Sequence, residues 1–73
     1  MSQIATVLQQ LIEEKYNSFE TGCIIVAQWI NGEAKSNISD GFIQGLCNGT
    51  MPADAIIPEY DIALRKLFGI SIT

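Results

Sequence analysis

Few residues of this sequence have the types and spacing that catalysis requires. The chain has no histidine, and no serine or cysteine is followed by the signature of a general base for nucleophilic attack. Glu13 and Glu14 are adjacent, so on a helix they point to different parts of the surface and do not form a facing acid pair. We therefore expect that the protein is not an enzyme.

The two cysteines and three regularly spaced glycines are the remaining candidates for chemistry. Cys23 and Cys47 each lie in an apolar run, which is typical of a small buried hydrophobic residue. Two cysteines without a histidine do not complete a zinc site. Gly41, Gly45 and Gly49 are four residues apart, but no Lys-Ser/Thr pair follows them as a phosphate loop requires. The sequence predicts no metal and no cofactor.

Size and charge narrow the classes of partner. The 73 residues carry a net charge of −4 and are 48% hydrophobic but only 16% charged, which predicts one small domain over residues 1–73. So small a domain with few charges favours self-association, here a homodimer, because its own core buries little surface. Nucleic-acid binders usually carry a basic stripe, and four basic residues do not make one.

Two helices are predicted in the first half of the chain. Apolar residues recur at helical spacing from Ile4 to Ile12, which predicts a first helix that ends near Tyr16-Asn17. Ser18 can cap a second helix. The β-branched run that begins at Cys23 also permits a buried strand with a hairpin turn at Asn31-Gly32. A helix is preferred, because the residues after the turn do not form a return strand.

The second half predicts two more helices with clear ends. Ser39 can cap a helix that runs to Asn48, where Gly49 suits the left-handed position after the last turn. Gly41 and Gly45 are spaced to form an open face on this helix. Pro58 suits the first position of the last helix and Gly69 its stop, with an Asp61–Arg65 pair along it. The tail at 70–72 alternates and permits a short extended segment. The fold class is therefore an all-α domain of four to five helices.

The order of these elements resembles the lambda-repressor-like (Cro/repressor type) helix-turn-helix domains. The helix order matches from Ile4 to Ser71, and the motif matches in detail from Ile38 onwards. The residues that carry the resemblance are Asn37-Ile38-Ser39, Ile43, Leu46, Asn48-Gly49, Pro52, Leu64, Leu67, Phe68, Gly69, Ile70 and Ser71.

The resemblance implies that the helix between Ser39 and Asn48 lies in the major groove of double-stranded DNA. Its outward positions are Ser39, Asp40, Gly41, Gln44 and Gly45, and Gln44 is the candidate adenine reader. Asn37, Ser39 and Lys35 are the candidates for phosphate contacts. Several features depart from the family, among them the following two. Trp29 to Ser36 reads as an insertion, and Asp40 is acidic where the family often has a basic residue.

Two functions follow as hypotheses. The first is a DNA-binding transcriptional regulator that acts as a homodimer, and the second is a non-enzymatic protein-interaction or structural module without DNA binding. Residues 1–6 lack the basic start of a signal peptide, and no apolar run approaches the length of a membrane span. We therefore expect a cytoplasmic protein without membrane contact.

Overall fold

A computed structural model describes residues 3–69, excluding the side chains of residues 3–6 and of Ala53. The protein is a small all-α domain, as the sequence predicted, and residues 3–69 contain no strand. The elements are α1 (Gln3–Tyr16), α2 (Phe19–Ala34), α3 (Asp40–Asn48), a single 3₁₀ turn (Ala53–Ala55) and α4 (Pro58–Phe68).

The helix ends follow the predicted signals in most places. The Ser18 side chain accepts a hydrogen bond from the Thr21 backbone N–H at 3.3 Å and so caps α2. Gly49 and Gly69 end α3 and α4 in the left-handed conformation, with φ of 86° and 76°, which a residue without Cβ adopts at no steric cost. Ser39 precedes α3 in an extended conformation but makes no capping hydrogen bond with its side chain.

α2 is longer than its Asn-Gly pair suggests. The run after Cys23 is helical, and the helix continues through Asn31 and Gly32 to Ala34. The predicted insertion from Trp29 is mostly the end of this helix. Ile30 is buried, and the Trp29 Nε1–H donates to the Ala63 carbonyl oxygen at 2.7 Å. The beginning of the segment therefore contributes to the packing of the domain, whereas Gly32, Glu33 and Lys35 are exposed.

The core forms around α2, which packs against α1, α3 and α4, while α1 also packs against α3. No polar side chain is buried among the described residues, so apolar packing holds the helices together. The tail at 70–72 lies outside the described residues. The fully buried large side chains are Leu8, Ile12, Cys23, Val26, Ile30, Ile43 and Leu64.

Candidate interaction surface around the third helix

α3 separates apolar from polar side chains. Ile43, Leu46 and Cys47 face the core and are buried. The opposite side, which we call the outer face, consists of polar or small residues with the spacing of a helical stripe. Gly41 and Asn48 are exposed there and Asp40 and Gln44 are half-buried. The outer face therefore includes three of the predicted site residues, namely Asp40, Gly41 and Gln44.

Gly45 does not belong to the outer face. It is buried, because the chain after α3 turns back over it and the Met51 N–H donates to the Gly45 carbonyl oxygen at 3.0 Å. A Cβ at position 45 would lie 3.1 Å from Met51 Cβ and 3.2 Å from Thr50 Oγ1. The prediction of an open two-glycine face is therefore wrong for Gly45 and holds only at Gly41, where a Cβ would meet just Ser39 Oγ at 3.4 Å.

Gln44 is held by a neighbour one turn earlier. Its Nε2–H donates to Asp40 Oδ2 at 3.3 Å, which is a long hydrogen bond. The amide is therefore oriented along the outer face. The Nε2 nitrogen carries a second hydrogen, so a partner can use the Gln44 amide as a donor while the bond to Asp40 stays in place.

The connection from α2 to α3, residues 35–39, is fastened by one side chain. Asn31 Oδ1 accepts from the Ile38 N–H at 2.8 Å and from Ser36 Oγ–H at 2.9 Å. Asn31 Nδ2–H donates to the Ile38 carbonyl oxygen at 2.9 Å. Asn31 thus ties the connection to the end of α2 through both polar atoms of its amide. The loop residues Lys35, Asn37 and Ser39 stay exposed.

Sequence reasoning missed Asn31, because an Asn-Gly pair in an apolar helix is most simply a stop signal. The sequence signal that could have found it is the polar loop after α2. An asparagine amide has a donor and an acceptor, so it can bind the unpaired backbone groups of a loop that follows it.

Charges of both signs lie around the beginning of α3. Lys35 ends α2 in the left-handed conformation, with φ of 53°, and has no ion pair within residues 3–69. The carboxylate of Asp40 lies at the start of α3, and its charge, after the larger effect of burial, helps raise the pKa of Cys23 to about 11. One positive and one negative side chain therefore flank the beginning of α3.

The other basic side chains have contacts elsewhere in the described chain. Arg65 pairs with Asp61 at 3.2 Å and Lys66 with Glu33 at 3.0 Å. Lys15 Nζ lies 5.9 Å from the centre of the Tyr16 ring. The ion pairs are exposed and weak, yet they reduce the positive potential available for an anionic partner.

The two thiols offer no reactive centre. Cys23 and Cys47 are buried, and burial is the main cause that raises the pKa of Cys47 to about 12. A thiol with so high a pKa is neutral and a poor nucleophile at physiological pH. Residues 3–69 show no group of three metal-ligating side chains and no pocket.

No family model, curated protein or solved structure matches this chain. Within the described residues, no helix is long and apolar enough to cross a membrane. The class of protein that the fold defines is a small all-α domain.

Proposed function

We propose that the protein is a small DNA-binding regulator whose α3 enters the major groove. The observation that carries the proposal is the pair α2 and α3. They are consecutive, joined by the short segment 35–39 and packed on each other, and α3 turns a polar face away from the core. In helix-turn-helix proteins the second helix of such a pair reads the groove.

The dimensions of α3 suit this role. Its nine residues span about 13 Å at 1.5 Å per residue, and the major groove, about 12 Å wide, admits an α-helix of about 10–12 Å diameter. Gln44 on the outer face is the base-reading candidate, because a glutamine amide can form two hydrogen bonds with an adenine. Lys35, Asn37 and Ser39, at the N-terminal end of α3, are the candidates for phosphate contacts.

The charge distribution predicts an unusual salt dependence. Each phosphate that a protein neutralises contributes about −0.9 to the slope of log affinity against log salt. If Lys35 makes the one such contact of each protomer, a homodimer should show a slope of about −2. Dimerisation strengthens binding by presenting two α3 helices together, which offsets the weak charge attraction.

Fluorescence anisotropy of labelled duplex DNA of mixed sequence, at low salt, tests the proposal. We expect binding that weakens as salt is added, and a weaker complex for Lys35→Ala and Gln44→Ala. Lys15→Ala is the matched control, because Lys15 is also an exposed lysine but lies at the end of α1. Absence of a salt-sensitive complex at low salt would refute DNA binding.

A second function, that of a protein-interaction module, is favoured by a different observation. The α3 surface carries charges of both signs, and three large apolar side chains are exposed elsewhere: Ile24 at 46%, Ile57 at 43% and Ile62 at 54%. Such a surface suits a protein partner better than a polyanion.

If the outer face of α3 is part of the protein interface, Gly41→Leu separates the two functions in a protein that associates. A bulky side chain on the outer face should disrupt a protein complex, whereas Lys35→Ala should leave it intact. Light scattering coupled to size exclusion measures the association of both variants. Gly45→Leu is unsuitable here because its side chain would collide with the Thr50–Met51 turn. Equal loss of association in both variants would contradict this second function.

A further inference from the structure

We propose that Asn31 is the residue that positions α3 for binding, by holding the connection 35–39 in one conformation. This inference rests on the proposed function for its binding consequence and on the three hydrogen bonds of Asn31 for its structural one. Asn31 itself lies near the end of α2 and outside the candidate contact set. It therefore acts through the loop and is a positioning residue.

The side chain of Asn31 binds both backbone polar groups of one loop residue, Ile38. Within residues 35–39, the Ile38 N–H and carbonyl oxygen both bond to the Asn31 side chain, at 2.8 Å and 2.9 Å. Ser36 adds a third bond, from its hydroxyl to Asn31 Oδ1 at 2.9 Å. A loop whose polar groups are bound by a helix side chain has lost much of its freedom before any partner arrives.

The loop carries the three candidates for phosphate contacts. Lys35 precedes the bonded segment, and Asn37 and Ser39 flank Ile38 on either side. Ile38 is partly buried and packs against the core, so both its side chain and its backbone are held. This arrangement keeps the neighbouring polar side chains exposed and sets the point where α3 begins.

An ordered loop should raise the affinity of the protein for DNA. A binding site that is ordered in advance avoids the entropic cost of ordering it on association. Loss of the Asn31 bonds should release the loop but leave the fully buried side chains of the helices in place, because Asn31 forms these bonds with the loop residues Ser36 and Ile38. Binding should then weaken while the helices stay folded.

Hydrogen exchange of the free protein tests the structural part. In Asn31→Ala we expect the Ile38 amide to exchange about tenfold faster or more, while amides of the core helices keep their protection. Asn31→Asp retains the acceptor for the Ile38 N–H but loses the donor to the Ile38 carbonyl oxygen, so it should restore only part of the protection of Ile38. Gln28→Ala, an exposed change one turn earlier in α2, is the matched control. Unchanged protection of Ile38 in Asn31→Ala would overturn the inference.

DNA titration at a temperature where every variant is fully folded tests the functional part. We expect Asn31→Ala to bind about tenfold more weakly than wild type and Gln28→Ala to bind equally well. Wild-type affinity in Asn31→Ala would overturn the positioning role. If the wild-type protein itself binds no DNA, the proposed function fails, and the exchange experiment still decides whether Asn31 orders the loop.

Discussion

The two faces of α3 are built under opposite constraints. The inner face carries Ile43, which is fully buried, together with Leu46 and Cys47. The outer face carries Gln44 and the exposed Gly41, and its side-chain hydrogen bonds are local: Gln44 bonds to Asp40, and Asn48 accepts from Thr50. The inner face is required for the helix to stay on the domain, because a nine-residue helix is not stable alone. The outer face carries little of the folding energy and is therefore available for recognition.

The strongest test of this comparison replaces two neighbouring residues, one on each face of α3, by alanine. Ile43→Ala should lower the free energy of unfolding by about 2–5 kcal/mol, because it removes a buried side chain and leaves a cavity. Gln44→Ala, at the next position, should change it by no more than about 0.5 kcal/mol. Urea unfolding followed by circular dichroism measures both. Similar losses in the two variants would show that the outer face also holds the fold.

A pair of glycines in α2 extends the comparison beyond α3. A Cβ at Gly22 would overlap Ile12 Cγ2 and lie 3.1 Å from Tyr16 Cδ2, whereas nothing lies within 4 Å of one at Gly32. Ile12 is fully buried and stiff at its branched Cβ. Gly22→Ala should therefore cost about 1–3 kcal/mol.

Gly32→Ala is the matched substitution on the open side of the same helix. It should stabilise the protein by up to about 1 kcal/mol, since alanine is the better helix former. Thermal unfolding of the two variants should shift the midpoint in opposite directions. A rise in the midpoint for Gly22→Ala would mean that Ile12 and Tyr16 of α1 leave room for a methyl group at position 22 of α2.

The two buried cysteines predict that the free energy of unfolding falls in alkaline solution. The pKa values of Cys23 and Cys47 are raised from 9.0 to about 11 and about 12, mainly by burial. The unfolded thiols lose their protons near pH 9 and the folded ones only at higher pH. Stabilisation by the neutral thiols is thus fully present below pH 9 and is lost as the pH rises towards about 11–12.

Urea titrations between pH 8 and pH 11 measure this loss. Lysines and tyrosines also titrate in this range, so the double variant Cys23→Ala/Cys47→Ala provides the control. The part of the pH dependence that disappears in the double variant belongs to the thiols. An identical pH profile in both proteins would contradict the burial of the two cysteines.

The smallest expected effect concerns Asp40 on the outer face. Asp40→Asn removes a negative charge beside the candidate phosphate contacts and should strengthen DNA binding by about 0.2–1 kcal/mol, as for an exposed charge interaction. Titrations at two salt concentrations measure it, and the gain should be larger at the lower one. Weaker DNA binding of this variant would mean that the Asp40 side chain itself makes a favourable contact with the DNA.

Much of the fold was predictable from the sequence, because its signals are local. The stripe that begins at Ile4, the cap at Ser18 and the stops at Gly49 and Gly69 act within one or two helical turns. The Asp61–Arg65 pair is likewise set by the spacing of one turn, and the structure contains it at 3.2 Å. These features needed no knowledge of which helix packs against which.

The candidate site was only partly predictable. The sequence placed Gly41 and Gln44 on one side of α3, since their spacing follows from the helix period. It also placed Gly45 there, and that was wrong. Helical spacing describes the helix alone and does not show that the following turn covers one end of that side.

The sequence by itself determined an all-α chain, the limits of most helices and the shortage of positive charge. The tertiary structure alone decided that α2 continues past Asn31-Gly32, that Asn31 binds the connection to α3, and that the Thr50–Met51 turn buries Gly45. For the length of α2, the physical reason is that a stop signal is a local preference of about 1 kcal/mol, which the burial of side chains such as Ile30 outweighs. For the connection and the turn, hydrogen bonds of Asn31 and of the Met51 N–H fix positions that helical spacing does not describe.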